Sequence, residues 1–148
     1  MTYEQSLVKH FMLTMHQEVR EEPGLPSPEC CKLRVDLLEE ELTELKWAIV
    51  QKDIVGIADA LTDLKYVLLG AECAFGLDGE PCFNEVHRSN MTKVGGEIRE
   101  DGKLLKPASY EPPNFWWLKA PGIRLNPLDF VETKDDRGQY IGLTKPRK

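Results

Sequence analysis

Five carboxylates between positions 40 and 63 have the types and spacing that could do chemistry. The stretch LLEEELTEL (37–45) sets Glu40, Glu41 and Glu44 three and four residues apart, on one face of a helix. The stretch GIADALTDL (56–64) sets Asp59 and Asp63 one turn apart on the next helix. Oxygen ligands without histidine suit Mg²⁺ or Mn²⁺ rather than zinc. A di-iron bundle would want Glu-x-x-His, and Glu85-Val86-His87 has the wrong spacing. Carboxylate-held Mg²⁺ most often serves phosphoryl chemistry, where it screens phosphate charge and activates water. The expectation is a divalent-metal site that holds a nucleoside triphosphate for hydrolysis.

Each signal also has a plainer reading. Glu is a good helix former, and an E-E-x-x-E run by itself is usually a solvated face. Asp59 and Asp63 lie on a helix that is apolar or small nearly all round, so burial is expected and the two carboxylates need partners. Those partners are metal ions or basic side chains such as Arg34 or Arg88. His16 and His87 read as structural, because no carboxylate or serine stands at a diagnostic spacing from either.

Four helices must position these groups. The first is predicted over residues 3–22, with Leu7, Val8, Phe11, Met12, Met15 and Val19 at helical spacing and Pro23 and Gly24 ending it. Ser27 and Pro28 open the second, which runs to Gln51 with Leu38, Leu42, Leu45 and Ile49 as its seam. Asp53 caps the third, Ile54 to about Phe75, whose main apolar stripe is Ile57, Leu61, Leu64, Leu68 and Phe75. Helices joined by so tight a turn are nearly always antiparallel neighbours, which lets the two carboxylate sets meet. The fourth runs from Pro81 to about Lys93. Beyond Val94 the composition changes: residues 95–148 hold six of the ten prolines and six of the eleven glycines. That region reads as a hairpin or extended arm with Trp116 and Trp117 as apolar anchors, and the tail ending KPRK is expected to be mobile. The fold class is all-α: a four-to-five-helix bundle (1–94) with an irregular, Pro/Gly-rich C-terminal arm (95–148).

Composition bounds the partners. In 148 residues, 41% hydrophobic and 30% charged, one soluble globular domain is the default. A net charge of −6 argues against a nucleic-acid partner, but not against a nucleotide bound through metal ions. No apolar run approaches the roughly 20 residues that span a membrane. MTYEQSLVKH lacks the apolar core of a signal peptide. Cys30, Cys31, Cys73 and Cys82 make no C-x-x-C pair and read as free thiols, so a cytoplasmic location is expected. The apolar flank of so thin a bundle suggests self-association, most simply a homodimer or a higher homo-oligomer.

The order of segments resembles the all-α NTP pyrophosphatase superfamily, which takes in MazG-like proteins, dimeric dUTPases and phosphoribosyl-ATP pyrophosphohydrolases. It is most similar to small MazG-like proteins of phage and bacterial genomes. Their signature is E-x-x-E on one helix and E-x-x-D on the next. LLEEELTEL matches the first, and GIADALTDLKYVLLG matches the second around Asp59. EVHRSNMTK (85–93) and DGKLLKPASYEPPN (101–114) resemble two further segments, so the match covers roughly residues 5–114. The resemblance implies Mg²⁺, with Mn²⁺ an alternative, held by Glu41, Glu44 and Asp59. Glu40 or Asp63 completes the shell or orients the attacking water, so Glu40, Glu41 and Asp63 form the catalytic set. Asn90 and Lys93, with Arg88, meet the nucleotide or its phosphates. The implied reaction splits the α–β anhydride into a nucleoside monophosphate and pyrophosphate, and the implied assembly is again a homodimer.

One position departs from the pattern. The first acid of E-x-x-D falls on Gly56, so one ligand is missing, and Asp63 or Glu40 is left to fill its place. Gly56 motivates an alternative: a nucleotide-binding or interaction protein on the same scaffold with weak catalysis or none. A purely structural helical protein is the third reading.

Overall fold

The structure, a computed structural model, describes residues 1–118, 131–134 and 140–144. Among these are four helices: α1 (Tyr3–Thr14), α2 (Pro28–Gln51), α3 (Ile54–Ala74) and α4 (Gly79–Met91). The class is all-α, as the sequence predicts. No helix among the described residues is long and apolar enough to cross a membrane. A two-stranded antiparallel ribbon follows, β1 (Val131–Lys134) against β2 (Tyr140–Thr144), with its register shifting between Thr133 and Lys134. The ribbon lies in the region read as an irregular arm. The KPRK tail (145–148) lies outside the described residues.

Both expected caps are present at helix starts. Ser27 Oγ accepts from the Cys30 amide at 3.2 Å with Pro28 behind it, and Asp53 Oδ1 accepts from Val55 at 3.1 Å. Lys52, left-handed at φ 55°, ends α2, so α2 and α3 are joined by two residues and pack along each other. Asp78 caps α4 through the Glu80 amide at 3.2 Å and starts that helix at Gly79, two residues earlier than Pro81.

The first helix is shorter than its apolar spacing predicts. It ends at Thr14, because His16 turns left-handed at φ 55° and the Gln17 amide reaches back to Met12 O. The chain then folds over the end of α3. Arg20 donates to Cys73 O at 3.1 Å and Gly24 donates to Phe75 O at 3.0 Å. Two carbonyls that a helix end leaves open are thereby satisfied. Val19 still packs on the core, but from an extended segment rather than a helix.

The core comprises Val8, Met12, Cys30, Cys73 and Ala74, with Leu69 and Phe75 against it. It sits where the N-terminal half of α2 meets α1 and the C-terminal half of α3. The buried side of α3 is not the predicted apolar stripe. Ala60, Gly70, Cys73 and Ala74 face inward, while Leu61 is 52% and Leu68 49% exposed. Likewise α2 buries Cys30, Arg34 and Ala48 and leaves Leu42 and Ile49 exposed. Small residues bring the helix axes close, and the large side chains are left on the outside. At Gly70 an added Cβ would stand 3.2 Å from Arg34 Nη1 and 3.6 Å from Met12 Sδ.

The segment after α4 doubles back along it. Ile98 and Leu104 bridge across a turn braced by Arg99 with Asp101, as the hairpin reading expects. Residues 110–114 then return along α4: Ser89 Oγ donates to Glu111 O at 2.7 Å, Glu111 N to Thr92 Oγ1 at 2.8 Å and Asn114 N to Glu85 Oε1 at 2.8 Å. Glu85 also takes both ends of the Arg88 guanidinium at 2.9 Å, and these donors pull its carboxyl down to about 2. Because the folded value lies below the ordinary 4.5, this contact stabilises the fold above pH 4.5 and is lost as pH falls towards 2. Acid titration followed by fluorescence of Trp116 and Trp117 should show the arm leaving α4 in that window. In Glu85→Gln that step should be gone; a step that persists would place the trigger elsewhere.

Candidate active site

The carboxylates lie along the α2–α3 pair between the core and the turn that joins the two helices. Glu40, Glu44 and Asp59 are exposed, and Asp63 and Glu41 are half-buried. Glu41 Oε2 is buried without a hydrogen-bond partner. Burial first, then the charges of Glu44, Asp63, Glu40 and Asp59, hold the Glu41 carboxyl above its ordinary range. The five predicted residues are thus gathered from two helices into one electrostatic cluster centred on Glu41. No basic side chain is among the groups that act on it.

The plainer reading of the two aspartates, an ion pair to a basic side chain, fails among the described residues. The expected burial is only partial, since Asp59 reaches solvent. Neither forms an ion pair with Arg34 or Arg88. Arg34 is 5% exposed, donates from Nη2 to Gln17 Oε1 at 3.0 Å and leaves Nε unpartnered. Arg88 is spent on Glu85 and, at 2.8 Å, on Glu111. Lys93 donates to Asn90 Oδ1 at 2.7 Å, so those two predicted phosphate contacts lie side by side near the end of α4.

The cluster fits a divalent ion in charge and donor type: an orphaned, partly desolvated carboxylate oxygen among like charges calls for a cation. As the side chains stand, no three His, Cys, Asp or Glu groups among the described residues converge tightly enough to ligate one. Gly56 is half-buried beside the cluster. An added Cβ there would meet Asp53 Oδ2 at 2.8 Å and Ala48 Cβ at 3.3 Å. A side chain at 56 therefore has to displace the capping carboxylate of α3.

A cleft of about 130 Å³ lies elsewhere, lined by Gln5, Lys9, Arg20, Cys73 and Asp78 among others. Cys73 and Asp59 are 14 residues apart on α3, about 21 Å at the rise of a helix, so the cleft is not part of the carboxylate site.

An all-α chain with a carboxylate cluster shared by two antiparallel helices defines the class of the MazG-like all-α pyrophosphatases. The phosphoribosyl-ATP pyrophosphohydrolase family model matches residues 8–90, more than half of the chain and all of α2 and α3, and the chain belongs to that family. No curated protein matches it. The family is one of hydrolases acting on phosphoric anhydrides, and MazG-like pyrophosphohydrolases typically use a divalent metal.

Proposed function

We propose that this protein is a Mg²⁺-dependent nucleoside triphosphate pyrophosphohydrolase that releases a nucleoside monophosphate and pyrophosphate. The observation that carries the reading is the orphaned Glu41 oxygen at the centre of five carboxylates, none of which forms an ion pair among the described residues. Glu41, Glu44, Asp59 and Asp63 would hold Mg²⁺, which when bound screens the phosphates and acidifies water. Glu40 or Asp63 would complete that shell or orient the attacking water. Release of pyrophosphate from a panel of ribo- and deoxynucleotides, with and without Mg²⁺, tests the reading. Release that needs Mg²⁺ supports it; nucleotide binding without release favours the weak-catalysis alternative.

Gly56 gives that alternative its own test. Glu at this position would add the acid that the family pattern expects, at the cost of displacing the Asp53 cap, about 1 kcal/mol. Gly56→Glu should raise Mg²⁺-dependent turnover about 10- to 100-fold, the range by which supporting groups around metal sites act. Unchanged turnover in a folded variant would show that the present four ligands suffice.

The outward faces support a homodimer. Leu42 and Ile49 on α2, with Leu61 and Leu68 on α3, are large apolar side chains at helical spacing, all exposed. A second copy is the occupant that explains an apolar stripe opposite the buried one. The double variant Leu61→Glu/Leu68→Glu should halve the mass seen by light scattering. A wild-type protein that is already monomeric would rule the dimer out.

A further inference from the structure

Catalysis at an acidic cluster leaves one need unmet. A triphosphate brings several negative charges to a protein of net charge −6, and no basic group acts on Glu41. Cations must reach the phosphates from elsewhere. The unit made by α4 and the returning arm carries Arg88, Lys93, Arg99, Lys103 and Lys106, and its two arginines are already paired. Arg88 is bound to Glu85 and Glu111, and Arg99 to Asp101. Lys93 and Lys106 have no carboxylate partner among the described residues.

Both lysines sit on one ring. Lys93 Nζ is 5.7 Å and Lys106 Nζ 4.8 Å from the centre of the Tyr110 ring. The two ammonium groups therefore lie no farther apart than the sum of those distances. Two like charges brought to one aromatic ring repel, and the ring offsets only part of that. An anion between them would offset the rest. The platform is anchored from below: Ser89, 2% exposed, donates to Glu111 O at 2.7 Å and stands 3.4 Å from the Tyr110 hydroxyl. Lys93 is further steadied by Asn90 Oδ1. Lys93 is thus held by both Asn90 and the ring, and Lys106, itself exposed, by the ring.

We infer that Lys106 and Tyr110, carried by the arm, form with Lys93 a clamp for a diphosphate group. Two compact ammonium charges set apart on a rigid spacer match two linked phosphoryl groups better than one. The inference deepens the proposed reading and rests on it for the identity of the substrate. The binding claim itself can be tested without hydrolysis.

The probe is inorganic pyrophosphate, titrated calorimetrically into the full chain at low and high salt, beside inorganic phosphate. Wild type should bind pyrophosphate, more tightly than phosphate and less tightly as salt rises. Lys106→Gln should weaken binding about tenfold, the loss expected for one charge-assisted contact. Tyr110→Leu should weaken it comparably while Tyr110→Phe keeps it, with unchanged circular dichroism for all three. Equal binding of phosphate and pyrophosphate, no pyrophosphate binding by wild type, or Lys106→Gln and Tyr110→Leu indistinguishable from wild type would each overturn the clamp. Glu41→Gln separates the two proposals: a clamp that stands alone still binds pyrophosphate in that variant, whether or not the wild type hydrolyses nucleotides.

Discussion

Glu41→Gln should lower Mg²⁺-dependent pyrophosphate release at least about 100-fold and, in the metal-free protein at neutral pH, raise the melting temperature. The first effect follows because the substitution removes the central ligand, and loss of a mere supporting group around a metal already costs about 10- to 100-fold. The second follows from the sign of the Glu41 shift. Its carboxyl is held above the ordinary 4.5 by burial and by Glu44, Asp63, Glu40 and Asp59. The folded state therefore favours the protonated form, and that contribution is fully present below pH 4.5 and lost as pH rises through the raised value. A neutral amide at 41 escapes the penalty at neutral pH. Mg²⁺ acts the opposite way, because it binds the ionised carboxylate and so stabilises the fold. In the wild type, the rise in melting temperature on adding Mg²⁺ should grow with pH through that window, and it should vanish in Glu41→Gln. A variant that keeps its Mg²⁺ response and its turnover would remove the carboxylate cluster from the mechanism.

Gly76→Ala should cost about 3 kcal/mol, a drop of roughly 10 °C in melting temperature for a chain of this size. Gly76 is left-handed at φ 67°, where an L side chain is strained, and its Cβ would overlap the Glu22 carbonyl, which is backbone and cannot swing aside. The crossing it permits lets the 20–24 segment cap the end of α3 through Arg20 and Gly24. Opening that crossing uncovers Val19, Cys73 and Phe75, the apolar end of the molecule. The carboxylate cluster lies away from that crossing, towards the α2–α3 turn, so below its lowered melting point the variant should retain most of its Mg²⁺ response. A melting temperature within about 2 °C of wild type would show that the crossing carries little of the stability.

Most of the candidate site was legible without coordinates because its signals are local. Ser27 with Pro28 and Asp53 mark helix starts through contacts made within three residues. Spacings of three and four then put Glu40, Glu41 and Glu44 on one face, and a two-residue turn forces α2 and α3 together. What failed depended on contacts between distant segments. Periodicity marks Ile57, Leu61, Leu64 and Leu68 as apolar, but it cannot say whether that stripe or the small-residue stripe opposite meets the rest of its own chain. Burial of Ala60, Gly70 and Ala74 shows that the small-residue stripe does, and at Gly70 it packs against Arg34 and Met12. Nor could it end α1 at Thr14, since Met15 and Val19 keep the helical spacing while the chain has turned to reach Cys73 and Phe75. Lys106 and Tyr110 escaped notice for the same reason: nothing in KPASY points at Lys93 until Ser89, Thr92 and Glu85 draw the arm back along α4. The amino-acid sequence by itself determined the helices, their order and the acidic face, because backbone capping and helical spacing act over a few residues. Only the tertiary structure decided which faces are buried, that Glu41 is the partly desolvated centre of the cluster, and that two lysines share one ring, because burial and charge act between groups that only the fold brings together.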